Sequence, residues 1–276
     1  MKKLIVILIL ATLSCEQVVI IPLPDEQNLL VVEGWLTDNV ERQYVRLSRS
    51  NSFSGAVSPV IDDATVLVQA RNSPSQTYSY TQDGRYLSDN SYRAVKGEEY
   101  RLSILLPNGD LIRSTWTPIE SNTDIVLLSV DSFEDNDPEN QGQNKTIYFP
   151  RITARDSANY QNYYRWMLFK GGVQLTDPES IILQNDRFFD GNFIPNLFND
   201  YEYSLGDNMK VELHSITKEA YDFLNLLKSQ TTTLSAAAST TPAIVTGNIT
   251  NFANPEEVVL GFFGTRSISA DSVIVQ

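Results

Sequence analysis

Period-two alternation of apolar and polar side chains most limits the folds open to this chain. In GEEYRLSILLPNGD, Tyr100, Leu102, Ile104 and Leu106 share one face of an extended segment, because successive strand residues point to opposite sides. Asn108-Gly109 follows at once and DLIRSTW returns. Both residues of an Asn-Gly pair tolerate positive φ, so the stretch reads as a tight hairpin. The pattern recurs in LLVVEGWLTD, where Leu30, Val32 and Leu36 oppose Val31, Glu33 and Trp35. It recurs again in QYVRLSRS, where Val45 and Leu47 oppose Tyr44, Arg46 and Ser48. ATVLVQA sets Ala64, Val66, Val68 and Ala70 on one face. Short strands separated by Gly, Pro, Asn and Asp turns predict a β-sandwich over residues 28–118, of immunoglobulin-like or transthyretin-like kind.

A second β-rich domain is expected over residues 119–276, with the boundary at Pro118 to Asn122. Asp124 to Val130, TIYFPRITARD, YYRWMLFKGG and MKVELHSIT read as strands. The one helix is KEAYDFLNLLKSQ, with Thr217 as N-cap and Glu219 in the first turn. Ala220, Phe223, Leu224 and Leu227 fall on one side of it, which should lie on a sheet. TTTLSAAASTTP is of low complexity and reads as a loop, after which AIVTGNIT, VVLGFFGT and SVIVQ finish the sheet. The fold class is therefore all-β with a minor α component.

The start of the chain, MKKLIVILILATLSC, has a basic pair, a short apolar run and small residues ahead of the only cysteine. The apolar run is too short to span a bilayer core, so it reads as a signal peptide over residues 1–14. Lipobox cleavage would leave a lipidated Cys15, tied by a tether over residues 15–27 to the folded body. Attached acyl chains would anchor the protein to a membrane. With one cysteine no internal disulfide can form, so the fold must stand on its hydrophobic core.

The net charge of −13 and the lack of any Lys/Arg cluster argue against nucleic acid as a partner. His214 is the only histidine, and neither a G-x-S-x-G nor an H-E-x-x-H motif accompanies it, so a structural role is expected. Asp186, Asp190 and Asp200 lie in an aromatic stretch where two carboxylates could flank a sugar; Asx turns completed by Gly191 are the other reading of that stretch. In EDNDPEN, Glu134, Asp135, Asp137 and Glu139 offer oxygen ligands, but the glycine and closing glutamate of a calcium loop are missing, so a solvated acidic loop is expected. No cofactor or resident metal is expected. The irregular stretch NDRFFDGNFIPNLFNDYEYSLGD carries Phe188, Phe189, Phe193, Phe198, Tyr201 and Tyr203. These aromatics either present a binding surface or fill the second core.

The ordered set of segments carries a resemblance: the lipobox at Cys15, then LLVVEGWLTD, ATVLVQA, GEEYRLSILLPNGDLIRSTWTPI, NDRFFDG, VELHSITKEAYDFL and VTGNITNFANPEEVVLGFFGT. Together they resemble the Bacteroidota lipoprotein family known as domain of unknown function 4249. The resemblance implies a cell-envelope lipoprotein that works with a TonB-dependent outer-membrane receptor, and it carries over no catalytic or binding residues. The expected function is that of a non-enzymatic outer-membrane lipoprotein, an accessory or ligand-capture partner of such a receptor. The alternatives are a stand-alone surface adhesin or glycan-binding module, and a carboxylate-dependent hydrolase.

Overall fold

Alternating burial in the computed structural model, which describes residues 28–51, 58–135, 145–176, 180–233 and 244–276, follows the period-two pattern of the sequence. The first half of the chain forms β1 (Leu30–Thr37), β2 (Tyr44–Arg49), β3 (Thr65–Ala70), β4 (Gln76–Gln82), β5 (Arg85–Leu87), β6 (Glu99–Leu105), β7 (Leu111–Ser114) and β8 (Thr117–Pro118). Then come β9 (Asp124–Asp135), β10 (Lys145–Arg155), β11 (Tyr163–Lys170), β12 (Val173–Gln174), β13 (Ile182–Asn185), β14 (Phe193–Leu197) and β15 (Asn208–Ile216). A helix, α1 (Lys218–Thr233), precedes β16 (Ile249–Asn251) and β17 (Leu260–Ile274). The chain is mostly β with one described helix. Among the described residues no helix is long and apolar enough to cross a membrane.

The strands on either side of the expected boundary belong to one hydrogen-bonded sheet, ordered β12-β11-β15-β17-β1-β2-β5-β4-β3-β6-β7-β16. A second sheet, β14-β10-β9, stands apart. Parallel pairing of β17 with β1, from Val31↔Leu260 to Thr37↔Arg266, brings the end of the chain against its beginning. The first core gathers Leu30, Val32, Val45, Leu47, Val66, Val68, Tyr100, Leu102 and Ile104, as the alternation predicts. It also takes Ile249, Val259 and Phe263 from near the end of the chain. Residues 28–118 therefore do not complete that core by themselves. The segment after β8 is likewise fastened to β17, whose Thr265 and Ser267 hydroxyls donate to the carbonyls of Pro118 and Glu120. VVLGFFGT and SVIVQ, read as two segments, are the two ends of the single strand β17.

A second core lies between β11, β15 and the three-stranded sheet. Tyr164, Trp166 and Leu168 of β11 and Met209, Val211 and Leu213 of β15 meet Ile152, Ala154 and Ile194 there. The opposite face of the same strands, with Tyr163, Ile216 and Phe262, receives α1 through Ala220 and Leu224. Thr217 caps this helix, its Oγ1 accepting from the Ala220 N–H at 3.2 Å, which satisfies one of the donors that a helix start leaves free.

The hairpin at Asn108-Gly109 forms, but only Gly109 adopts positive φ, at 92°. Pro107 fixes its own φ in the helical range. The Gly109 N–H then bonds the Leu106 carbonyl at 2.9 Å, and Leu106 N–H bonds the Asp110 carbonyl at 2.9 Å. The result is a longer loop than a two-residue turn, with glycine at its left-handed position.

Candidate functional site

Beside α1, on the sheet face that carries it, lies a pocket of about 600 Å³. Its floor comes from Leu29, just before β1, and from alternate residues of β1 and β17: Val31, Glu33 and Trp35, then Leu260 and Phe262. These fall on one side because Val31 pairs with Leu260 and Glu33 with Phe262. Phe223, Leu224 and Leu227 of α1 supply one wall, and Ile181, Ile244 and Val245 line the pocket further. Phe223 stacks on Phe262 with ring centroids 4.9 Å apart, and Trp35 tilts against Phe262 at 5.8 Å. A concave, mainly apolar space with few polar groups is the usual form of a small-molecule site.

The polar groups sit toward one end. Trp35 pairs across the strands with Tyr44, and both line the pocket with Arg165. In the ladder through β15, His214 stands between Arg165 and Ile268. Behind Trp35, the Arg266 guanidinium lies 5.5 Å from the indole ring and bonds His214 Nδ1 at 3.4 Å. His214 Nε2 bonds Glu212 Oε2 at 2.8 Å, and Lys210 Nζ approaches the other Glu212 oxygen at 2.7 Å. Nδ1 thus accepts and Nε2–H donates, the pattern of a neutral imidazole.

Burial lowers the Arg165 guanidinium to about 10, with the charge of Arg266 acting in the same direction; it stays protonated at neutral pH. Among the described residues Arg165 has no carboxylate at ion-pair distance, and its Nε is sealed from solvent without an acceptor. Glu33 at the pocket is engaged by Arg46 at 3.4 Å.

Burial, seconded by Arg266, lowers the His214 imidazole from 6.5 to about 3. For Glu212, burial works in the opposite sense, but hydrogen bonds from His214 and Lys210 outweigh it and hold the carboxyl at about 2. Because the folded imidazole titrates below the unfolded one, the unfolded chain takes up the proton first. Stability is therefore lost as pH falls from about 6.5 toward 3. Between about pH 8 and pH 5 the His214 contribution to this loss is about 2 kcal/mol, set by the unfolded imidazole alone. Denaturant titration at both pH values should show that loss in the wild type and its absence in His214→Gln. An identical pH dependence in the two proteins would contradict a neutral, buried His214. His214 does not line the pocket, which agrees with the structural role expected from sequence.

The six aromatics proposed as a binding surface divide. Phe198 and Tyr203 are buried members of the second core, 9 % and 1 % exposed, so they offer no surface. Phe189 and Tyr201 pack half-buried against that core. Only Phe188 at 82 % and Phe193 at 55 % stand exposed. The stretch also contains a strand, β14, whose pairing with β10 turns Ile194 inward and Phe193 outward.

Asp186 and Asp190 come together, with Asp156 rather than Asp200 as the third member, their oxygens within 4.8 Å of one another. Each carboxylate already accepts from a loop amide. Gly191 N–H donates to Asp156 at 2.8 Å, Asn162 N–H to Asp186 at 2.7 Å and Asn159 N–H to Asp190 at 2.9 Å. Tyr164 bonds Asp156 as well. Burial and then the neighbouring charges of Asp156 and Asp190 raise the Asp186 carboxyl. The cluster thus fixes the turn leading into β14 by long-range bonds to the loop at Asn159 and Asn162, whereas the Asx-type bond of this stretch is made by Asn185, whose Oδ1 accepts from the Arg187 N–H at 3.2 Å. Cys15, Asp137 and Glu139 lie outside the described residues, and Glu134 ends exposed on β9.

Sequence reasoning missed the pocket, although its signals were present. Val31 and Trp35 make the second face of β1 largely apolar, the mark of a strand covered on both sides. Consecutive Phe262 and Phe263 must point to opposite faces and so demand two covers. Arg165 is a lone charge in the apolar run YYRWMLF.

A family model described as Domain of unknown function (DUF4249) matches residues 16–271. No curated protein matches the chain.

Proposed function

Because the chain belongs to the DUF4249 family, whose description assigns no activity, we propose from the pocket itself that the protein is a non-enzymatic binding protein that captures a largely apolar small molecule between α1 and the sheet. The observation that carries this reading is the pocket of about 600 Å³, floored by Val31, Leu260 and Phe262 and walled by Phe223 and Leu227. Among the described residues its ionisable lining is Glu33, Tyr44 and Arg165, a set without a nucleophile held by a base, the arrangement that covalent catalysis uses. The wider setting we propose is an envelope lipoprotein, lipidated at Cys15, that hands its ligand to a TonB-dependent outer-membrane receptor. That setting rests on the leader and the family resemblance, which are independent of the pocket.

Calorimetric titration of the mature protein with decanol, a neutral chain that fits an apolar pocket, tests the capture. Saturable binding is expected, and Leu260→Trp, which fills the floor, should abolish it while Phe188→Ala leaves it unchanged. Absence of saturable binding, or binding indifferent to Leu260→Trp, would refute capture at this pocket.

A further inference from the structure

The pocket has a polarity that narrows its ligand. From Val31, beside Leu260, to Trp35, beside Tyr44, the floor runs four strand residues, or roughly 13 Å. The Val31 end is apolar, with Leu29 and Leu260. The Trp35 end holds Tyr44 and Arg165, with Arg266 immediately behind. The Nε of each guanidinium is sealed without an acceptor among the described residues, and Arg266 has in addition the imidazole of His214 as a partner.

A half-buried guanidinium gains from a counter-charge, and among the described residues no carboxylate stands at ion-pair distance from Arg165. A guanidinium is a planar fork suited to a carboxylate, which it can hold by two parallel bonds. Arg165 is half-buried, its Nε sealed along the stem and its head at the lining of the pocket, where a ligand rather than another side chain of the described residues can meet it.

We propose that the pocket takes a monoanionic amphiphile of the fatty-acid class, its carboxylate on Arg165 beside Tyr44 and its chain lying over Val31, Leu260 and Phe262. This rests on the capture reading above and adds the head group to it. Phe223 and Leu227 of α1 cover the chain, so the apolar surface of the ligand leaves water while its charge meets an existing counter-charge. Glu33, which also lines the pocket, is paired with Arg46 at 3.4 Å.

Calorimetric titration with decanoate and with decanol, on wild type, Arg165→Gln and Arg165→Lys, tests the proposal. Decanoate is expected to bind wild type about tenfold or more tightly than decanol, as a charged hydrogen-bonded pair requires. Arg165→Gln should abolish that preference while decanol affinity stays within about twofold, which also shows that the variant keeps its pocket. Arg165→Lys should restore part of the preference, because it keeps the charge but loses the fork. Equal binding of both compounds to wild type, or a decanoate preference that survives Arg165→Gln, overturns the head-group assignment and leaves capture standing. No binding of either compound removes capture itself and the head-group assignment with it.

Discussion

Gly261→Ala is expected to destabilise the protein by roughly 3 kcal/mol or more, on the scale of strained backbone combined with a steric clash. Gly261 has φ near +96°, and a Cβ there would lie 1.9 Å from the Val32 carbonyl oxygen. That oxygen belongs to the parallel β1–β17 ladder, in which Val32 pairs with Gly261. Either the two strands part or the chain leaves its register, and both the first core and the pocket floor depend on that contact. Gly109→Ala separates the two causes. Its φ is similar, at 92°, but nothing lies within 4 Å of a Cβ there, so only the left-handed penalty of about 1 kcal/mol applies. Urea denaturation of both variants measures the difference, and equal losses would contradict the close approach of β17 to β1.

Trp166→Ala should cost about 3–5 kcal/mol, as large aromatic truncations in cores do. Trp166 is fully buried, meets Phe198 edge-on at 5.6 Å, and donates its indole N–H to Gln184 Oε1 at 2.9 Å. Truncation leaves a cavity, while Gln184 Oε1 keeps a donor in Asn196 Nδ2 at 2.9 Å, so the cavity sets the loss. Phe188→Ala, at an 82 % exposed position, should change stability by no more than about 0.5 kcal/mol. Since β17 contributes Phe263 to the first core and Val275 follows its end into the second, loss at Trp166 should shift a single cooperative transition. Two separated transitions in Trp166→Ala would show that the cores unfold independently.

Much of the β architecture could be read directly from the residues, because alternation is a local property. Val66, Val68, Leu102 and Ile104 are buried where their spacing places them, and Thr217 caps the helix it precedes. What escaped was long-range. No local pattern says that Leu260 will lie parallel to Val31, some two hundred residues away in sequence, and that one pairing makes the sheet continuous and builds the pocket floor. The candidate site suffered for the same reason. Aromatic density in NDRFFDGNFIPNLFNDYEYSLGD drew attention to a surface, whereas β14 and the second core absorb Phe198 and Tyr203. Composition could not separate a residue that fills a core from one that meets a partner. Asp186 and Asp190 were found as neighbours, but their third companion, Asp156, comes from the end of a strand that only the fold brings near.

The central claim, that the space between α1 and the sheet receives an amphiphile with its charge at Arg165, is tested most directly by crystals of the protein grown with ω-bromodecanoate. The account predicts an anomalous bromine peak near Leu29 and Leu260, with the carboxylate in hydrogen-bond contact with the Arg165 guanidinium. Bromine located elsewhere on the protein with this pocket empty, or a carboxylate turned away from Arg165, would contradict it.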